Sequence, residues 1–199
     1  MNSKNLFAGL ILTMLAPMGA QAQFSTAPEG GAPTKTTFIR LTNNANAILV
    51  EPATPNPVKG RIAVLVSHPE NINNFNYFIG RAMPGYGYRV MMLNYYGREQ
   101  TYYEFIAPIA AAIKALRAMP GVEKVVLAGH STGGPMLTSY QDVAENGAKT
   151  CQGAERIYKC DGKDLENLPK ADGVMLIDSN AGAHHRTQPR CRSASAAQD

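Results

Sequence analysis

The composition of the chain is that of an ordinary globular protein, and it excludes several functional classes. Its 199 residues are 45% hydrophobic, and 19 basic against 15 acidic side chains give a net charge of +4. The cations are neither clustered on a helix nor interleaved with aromatic residues, so no nucleic-acid partner is expected. No run approaches the roughly 20 apolar residues that cross a bilayer, so no membrane anchor is expected.

The first 22 residues have the features of an export signal. Lys4 provides a basic start, residues 6–18 are largely apolar, and Ala20-Gln21-Ala22 has the small-x-small form that signal peptidase reads. Cleavage after Ala22 is therefore predicted. The mature protein is expected to be exported, either to the periplasm or out of the cell.

Downstream of this segment, residues 23–183 are predicted to form one domain in which strands and helices alternate. Strands are predicted at residues 38–41, 47–51, 62–67, 89–95, 124–128 and 174–177. The first two fit an antiparallel pair, whereas the others are continuous apolar runs typical of parallel strands. Helices are predicted at residues 74–83, 105–116 and 135–146, with Pro108 either kinking the second helix or lying in its early turns. This order indicates an α/β fold with a doubly wound, mostly parallel sheet and helices on both faces.

Two of the three cysteines, Cys151 and Cys160, bracket a short polar segment. In an oxidising compartment such a pair is expected to form a disulfide. The competing interpretation is a metal site, but no histidine lies at ligand spacing from the pair. We therefore predict a structural disulfide there, and neither a metal nor a cofactor; Cys191 has no evident partner.

A serine between glycines lies between the fifth predicted strand and the helix that follows it, in Gly129-His130-Ser131-Thr132-Gly133. In this strand-turn-helix context the segment resembles the nucleophile elbow of the α/β-hydrolase family. A tight turn there projects the serine hydroxyl toward substrate, and glycines avoid collisions across the turn. The helix N-terminus then faces the developing oxyanion. The alternative interpretation is a glycine-rich turn that only packs.

The resemblance implies an exported serine hydrolase, similar to esterases, that acts on a small-molecule ester or related carbonyl through an acyl-enzyme at Ser131. It also implies that the backbone amide of Thr132 stabilises the oxyanion. A second amide is expected from the turn after the third strand. By position Glu70 is the expected donor, with Asn71 as the alternative.

An acid and then a histidine complete the catalytic triad of this family, and neither stands at its usual place. Six of the usual eight strands are predicted, and Asp178 at the tip of the sixth is a candidate acid. The only histidines further along are His184 and His185, in an unpatterned tail, 184–199, that is predicted to be disordered. His68 is expected to bond within its own turn, and the His130 ring to pack beside the elbow.

The abrupt loss of pattern after residue 183 indicates an incomplete hydrolase domain, from a shifted reading frame or a truncated gene, with a natural short variant as the alternative. We therefore expect this chain to be a slow catalyst or none. The competing function is an inactive exported α/β domain that binds a ligand or partner. The substrate and the oligomeric state are left open by the sequence.

Overall fold

The computed structural model of the chain describes residues 31–42, 44–69, 74–95, 103–156, 159–160 and 165–179. The predicted signal segment 1–22 and tail 184–199 lie outside these ranges. So do the predicted oxyanion donor Glu70, its alternative Asn71, and the two histidines of the tail, His184 and His185. Expectations for these residues stay predictions.

A six-stranded sheet forms the centre of the fold. Its strands are β1 (Thr34–Thr42), β2 (Ala45–Pro52), β3 (Ile62–Val66), β4 (Arg89–Tyr95), β5 (Lys124–His130) and β6 (Gly173–Ile177). Their order across the sheet is β1-β2-β4-β3-β5-β6. β1 pairs antiparallel with β2, and β2 with β4, whereas β3, β4, β5 and β6 are mutually parallel. The predicted α/β class and the mostly parallel sheet are confirmed.

Helices cover both faces of this sheet. They are α1 (Phe78–Ala82), α2 (Ile106–Arg117), α3 (Gly133–Asn146) and the short α4 (Lys149–Gln152). On one face, Leu65 and Leu127 of the sheet pack in a buried cluster with α2 and α3. On the other face, Val64 and Val66 pack in a second cluster with Ile79 of α1. Because alternate side chains of the central strands enter opposite clusters, these strands have the continuous apolar sequences of strands buried on both sides.

The predicted helix at residues 74–83 is wrong in its extent. The segment begins with a 3-10 turn (Asn74–Asn76), becomes α1, and ends in a second 3-10 turn (Met83–Tyr86). The break arises at Tyr77, whose ψ of 139° is extended. Pro108 lies in the first turn of α2, which is the second of its two predicted places. A backbone N–H there has no acceptor within the helix, so the helix tolerates a proline, which lacks that N–H.

β6 is anchored to its neighbour at the end opposite Ser131. The Asp172 carboxylate accepts a hydrogen bond of 2.8 Å from the Val125 N–H and pairs with Arg117 and Lys124 at 3.0 and 3.3 Å. Burial raises the pKa of Asp172, but the hydrogen bond from Val125 and the two cations outweigh it, and the net pKa lies below the ordinary value. The start of β6 is therefore held by an ionised carboxylate.

The predicted disulfide between Cys151 and Cys160 is present, and both cysteines are buried. It ties α4 to the segment that leads toward β6. Within the described ranges, no helix is long and apolar enough to cross a membrane. The same residues contain no group of histidine, cysteine and acidic side chains arranged to hold a metal ion.

Candidate active site

Ser131 lies on the turn between β5 and α3, at the carboxyl end of the fifth strand. Its φ of 51° is in the left-handed region, which side chains other than glycine seldom adopt. The Ser131 N–H donates to the Ile177 carbonyl at 3.2 Å, and the Gly134 N–H donates to the Ser131 carbonyl at 3.2 Å. Because these bonds reach β6 on one side and α3 on the other, the turn is held in its strained shape.

The two glycines of the motif are required by close backbone approaches. A Cβ at Gly129 would lie 2.6 Å from the Gly134 Cα and 2.7 Å from the Gly133 carbonyl oxygen. A Cβ at Gly133 would lie 2.7 Å from the Ser67 carbonyl oxygen, at the end of β3. α3 accordingly begins at Gly133, two residues before the predicted start, and β5 extends two residues beyond its predicted end.

Thr132 is the N-terminal cap of α3, a helix of 14 residues. Backbone N–H groups in the first turn of a helix have no acceptor within the helix, and the helix dipole places partial positive charge there. The amide of Thr132 therefore belongs to a region that favours negative charge, next to Ser131 in the chain. Its role as an oxyanion donor stays a prediction.

His68 reaches the same turn from the end of β3. Its side chain is buried, and its Nε2 lies 2.8 Å from the Thr132 Oγ1. The hydrogen bond predicted within the turn of His68 itself stays a prediction, since residues 70–73 lie outside the described ranges, and the contact with Thr132 crosses to the elbow. It arises because β3 and β5 are adjacent parallel strands, so their carboxyl ends meet at one edge of the sheet.

His130, which precedes the serine, packs against two aromatic residues of the segment 71–78, whose polar and aromatic sequence predicts a contribution to the pocket walls. Its Nδ1 lies 2.5 Å from the Tyr77 hydroxyl, and its ring meets Phe78 edge-on with centroids 5.3 Å apart. The expectation that the His130 ring packs beside the elbow agrees with this arrangement. Tyr77 and Phe78 stand 53 and 52 residues earlier in the chain than His130, and helical periodicity alone gave no signal that they reach it.

Asp178 follows β6 directly, and β6 pairs with β5 so that Ile177 is opposite His130. Ser131 and Asp178 are therefore the next residues after a matched pair, and both have positive φ, at 51° and 42°. Within the described part of the chain, the Asp178 carboxylate makes no hydrogen bond or ion pair. Its neighbour Ser179 donates to the Ser131 carbonyl at 3.5 Å, which ties this end of β6 to the elbow.

A buried amide links the two strand ends beside His68. Asn74 is 2% exposed, and its Nδ2 donates to the carbonyl oxygens of Leu93 and His68 at 3.0 and 3.4 Å. The Ser67 hydroxyl donates to the same Leu93 carbonyl at 3.3 Å. These bonds hold Ser67, His68 and Asn74 against β4. The sequence predicts Asn74 only as the first residue of a helix. Its polar side chain at that position was the one sequence feature that could have indicated a buried hydrogen-bonding role.

Tyr95 ends β4 at this edge, and its hydroxyl donates to the sulfur of Met136 in the first turn of α3 at 3.4 Å. Burial, with a smaller contribution from Glu104, raises the pKa of Tyr95 to about 12. The phenol is therefore neutral at physiological pH. It supports the start of α3 without adding charge to the site.

A cavity of about 720 Å³ lies at the other end of α3, lined in part by Val143, Ala148, Leu165 and Leu168. An α-helix of 14 residues is ~20 Å long, so this cavity is remote from Ser131. It is not a substrate pocket for the elbow.

No protein-family model matches the sequence, and no curated protein sequence matches it. Solved structures do. The hypothetical protein PA2218 from Pseudomonas aeruginosa matches 63% of this chain and 44% of its own length, at 14% identity and a TM-score of 0.50. A bacterial heroin esterase matches 63% of this chain and 42% of its own length, at 15% identity and a TM-score of 0.49.

Brefeldin A esterase, a bacterial homologue of human hormone-sensitive lipase, matches 57% of this chain at 19% identity and a TM-score of 0.45. The matched part of the chain spans only 35% of that esterase, and less than half of each of the other two structures. At these identities the similarity concerns the fold alone. The chain has an α/β fold with a six-stranded, mostly parallel sheet, and its similarity to PA2218 concerns this fold.

Proposed function

We propose that the chain is a serine hydrolase that cleaves a small ester or related carbonyl compound through an acyl-enzyme on Ser131, without a cofactor. One observation carries the proposal. Ser131 occupies a left-handed turn between a central parallel strand and a helix N-terminus, with Gly129 and Gly133 packed against backbone on either side. This conformation is costly and needs a compensating benefit, which an exposed nucleophile provides.

In the proposed reaction, the Ser131 Oγ attacks the carbonyl carbon, and the carbonyl oxygen takes up the negative charge. The amides of Thr132 and Glu70 donate hydrogen bonds to that oxygen. Collapse of the tetrahedral species expels the alcohol, which takes up the proton that the serine released, and leaves an ester on Ser131. Water then attacks this ester, releases the acid and restores the hydroxyl.

Proton removal from Ser131 sets the expected rate. The histidines within the described ranges are His68 and His130, and the Nε2 of the first and the Nδ1 of the second are engaged by Thr132 and Tyr77. A positioned base is worth roughly 10²- to 10⁴-fold, whereas binding and oxyanion stabilisation alone can leave roughly 10³- to 10⁴-fold over water. We therefore expect both acylation and turnover to be slow, with Asp178 as the candidate acid for any base.

A fluorophosphonate probe tests the proposal, because its phosphorus reacts only with an activated serine. We expect the probe to label Ser131, as located by mass spectrometry of the labelled peptide, and to label Ser131→Ala no longer. Ser139→Ala is the matched control, since that hydroxyl lies in α3 and bonds the Pro135 carbonyl. Absence of labelling at Ser131 in the wild-type chain would contradict the proposal.

The second candidate function is binding of a ligand or partner without turnover, with the elbow kept as inherited architecture. The hydrogen bonds of His68 with Thr132 and of His130 with Tyr77 favour it, because they engage one ring nitrogen of each described histidine. Hydrolysis of an activated aryl ester separates the two functions. Turnover that exceeds the buffer rate and disappears in Ser131→Ala supports the enzyme, whereas saturable ligand binding that leaves the ester intact supports the binding domain.

We also propose that the protein is exported. Support comes from the disulfide between Cys151 and Cys160, since disulfides persist in oxidising compartments, and from the predicted signal segment. N-terminal sequencing of the protein from fractionated cells tests this. A chain beginning at Gln23 outside the cytoplasm is expected, and a chain that retains residues 1–22 in the cytoplasm argues against export.

A further inference from the structure

Two side-chain hydrogen bonds flank Ser131, one on each side. The residue before it, His130, is bonded through Nδ1 to the Tyr77 hydroxyl, and the residue after it, Thr132, is bonded through Oγ1 to the His68 Nε2. Both partners come from the connection between β3 and β4. We propose that His68 and Tyr77 are positioning residues that clamp the Ser131 turn, an inference that rests on the proposed role of Ser131 as nucleophile.

The clamp is one continuous group and not two separate contacts. The Tyr77 ring packs near both histidines, with centroids 6.1 Å from His68 and 5.8 Å from His130. Phe78 packs on the same group, with its centroid 5.2 Å from Tyr77 and 5.3 Å from His130. Because each ring limits the movement of the next, the residues on both sides of the serine are held against the same connection.

The turn needs such support because its backbone is in a sparsely populated conformation, which persists only when the surroundings over-determine it. The main-chain bonds to Ile177 and Gly134 hold the backbone of Ser131 itself. They do not hold the side chains of His130 and Thr132, and the hydrogen bonds of these side chains to Tyr77 and His68 support the turn from the connection between β3 and β4. His68 is buried and Thr132 is partly buried, so water competes little for their hydrogen bond.

Loss of either bond should therefore slow the chemical step and leave probe binding unchanged. A misplacement of about 1 Å at a reacting group costs on the order of 10²-fold in rate. Loosening one of the two bonds, with the other intact, is expected to cost about tenfold. The effect should appear in the maximal rate of phosphonylation, kinact, and not in the half-saturating probe concentration, KI.

The experiment measures kinact and KI for fluorophosphonate labelling of the full chain and of four variants. Tyr77→Phe and Thr132→Val each remove one hydroxyl with little change of shape, and Thr132→Ser restores the hydroxyl at that position. Tyr86→Phe is the control, because this tyrosine is 58% exposed and lies outside the clamp. The melting temperature of each variant is recorded alongside.

We expect kinact to fall about tenfold in Tyr77→Phe and Thr132→Val, with KI unchanged, and to recover in Thr132→Ser relative to Thr132→Val. Tyr86→Phe should label as the wild type does. If the wild-type chain is labelled at Ser131 and both Tyr77→Phe and Thr132→Val have the wild-type kinact, the clamp alone is overturned. Failure of the wild-type chain to label at Ser131 overturns the proposed function and the clamp together. If Thr132→Val melts early, Tyr77→Phe decides.

Discussion

A single methyl group at position 129 tests how tightly the Ser131 turn is closed. In Gly129→Ala the new Cβ would lie 2.6 Å from the Gly134 Cα, and 2.7 Å from both the Gly133 oxygen and the Gly134 nitrogen. All three are backbone atoms, so no side chain can rotate away. The closest contact must lengthen by about 0.8 Å to reach the 3.4 Å of ordinary van der Waals contact, which means that β5 and α3 must separate locally.

Overpacking of this kind costs about 1 to 3 kcal/mol. For a chain of this size, each kcal/mol lowers the melting temperature by about 2 to 4 °C, so a decrease of about 2 to 12 °C is expected. Phosphonate labelling of Ser131 should also slow, since the separation moves the hydroxyl away from the helix N-terminus. Thermal unfolding followed by circular dichroism, together with a labelling time course, measures both effects.

Gly173→Ala is the matched control, because it places the same methyl group in β6 with no heavy atom within 4 Å. There the methyl group should leave stability unchanged or increase it by about 0.4 to 1 kcal/mol, through the unfolded state. Equal melting temperatures and equal labelling rates for Gly129→Ala and Gly173→Ala would refute the reasoning. The close approach of β5 and α3 would then not be what requires a glycine in the motif.

Three further predictions concern the surrounding fold. Because the folded pKa of Asp172 is depressed, its contribution to stability is fully present above the ordinary pKa of about 4 and is lost as the pH falls through the folded pKa. Asp172→Asn should therefore lower the urea midpoint at pH 7, and the variant should differ little from wild type at pH 2. Replacing Cys151 and Cys160 together by serine should cost about 2.5 to 3 kcal/mol from loop closure, measured by urea unfolding, and adding a reductant to the variant should change nothing further. The pKa of Tyr95 is raised to about 12, so the unfolded chain loses the phenol proton at a lower pH than the folded chain does, and stability should fall as the pH rises from about 10 toward 12. An ultraviolet difference titration of wild type against Tyr95→Phe should show the Tyr95 phenol ionising near pH 12. Ionisation near pH 10 would contradict its burial.

Strands were predictable from the sequence where burial on both faces demands a continuous apolar run. β4 at Arg89–Tyr95 has the predicted limits, and β3 and β6 differ from theirs by one residue. Residues 74–86 were less predictable, because long-range hydrogen bonds decide their conformation. The Asn74 N–H donates to the Asn94 side chain in β4 at 2.9 Å, a partner that local periodicity cannot reveal.

The candidate site divides in the same way. The turn at Ser131 could be predicted because its requirements are local: a strand, two glycines and a helix start within a few residues. The contacts of His68 with Thr132, and of Tyr77 with His130, join residues 64 and 53 positions apart. They follow from the placement of β3 beside β5. Both strands can be predicted from the sequence, but the side-chain contacts at their ends cannot.

The hydrogen bond from the Ser131 N–H to the Ile177 carbonyl also has a consequence for folding during synthesis. The turn lies close to Ser67, far earlier in the chain, and is bonded to β6, far later, so a nascent chain that ends soon after α3 lacks the hydrogen bond to Ile177 that holds the serine backbone. Non-local contacts of this kind form late, after the loops between them have closed. The turn at Ser131 should therefore be among the last parts of the molecule to reach its final conformation on the ribosome, after β6 has docked.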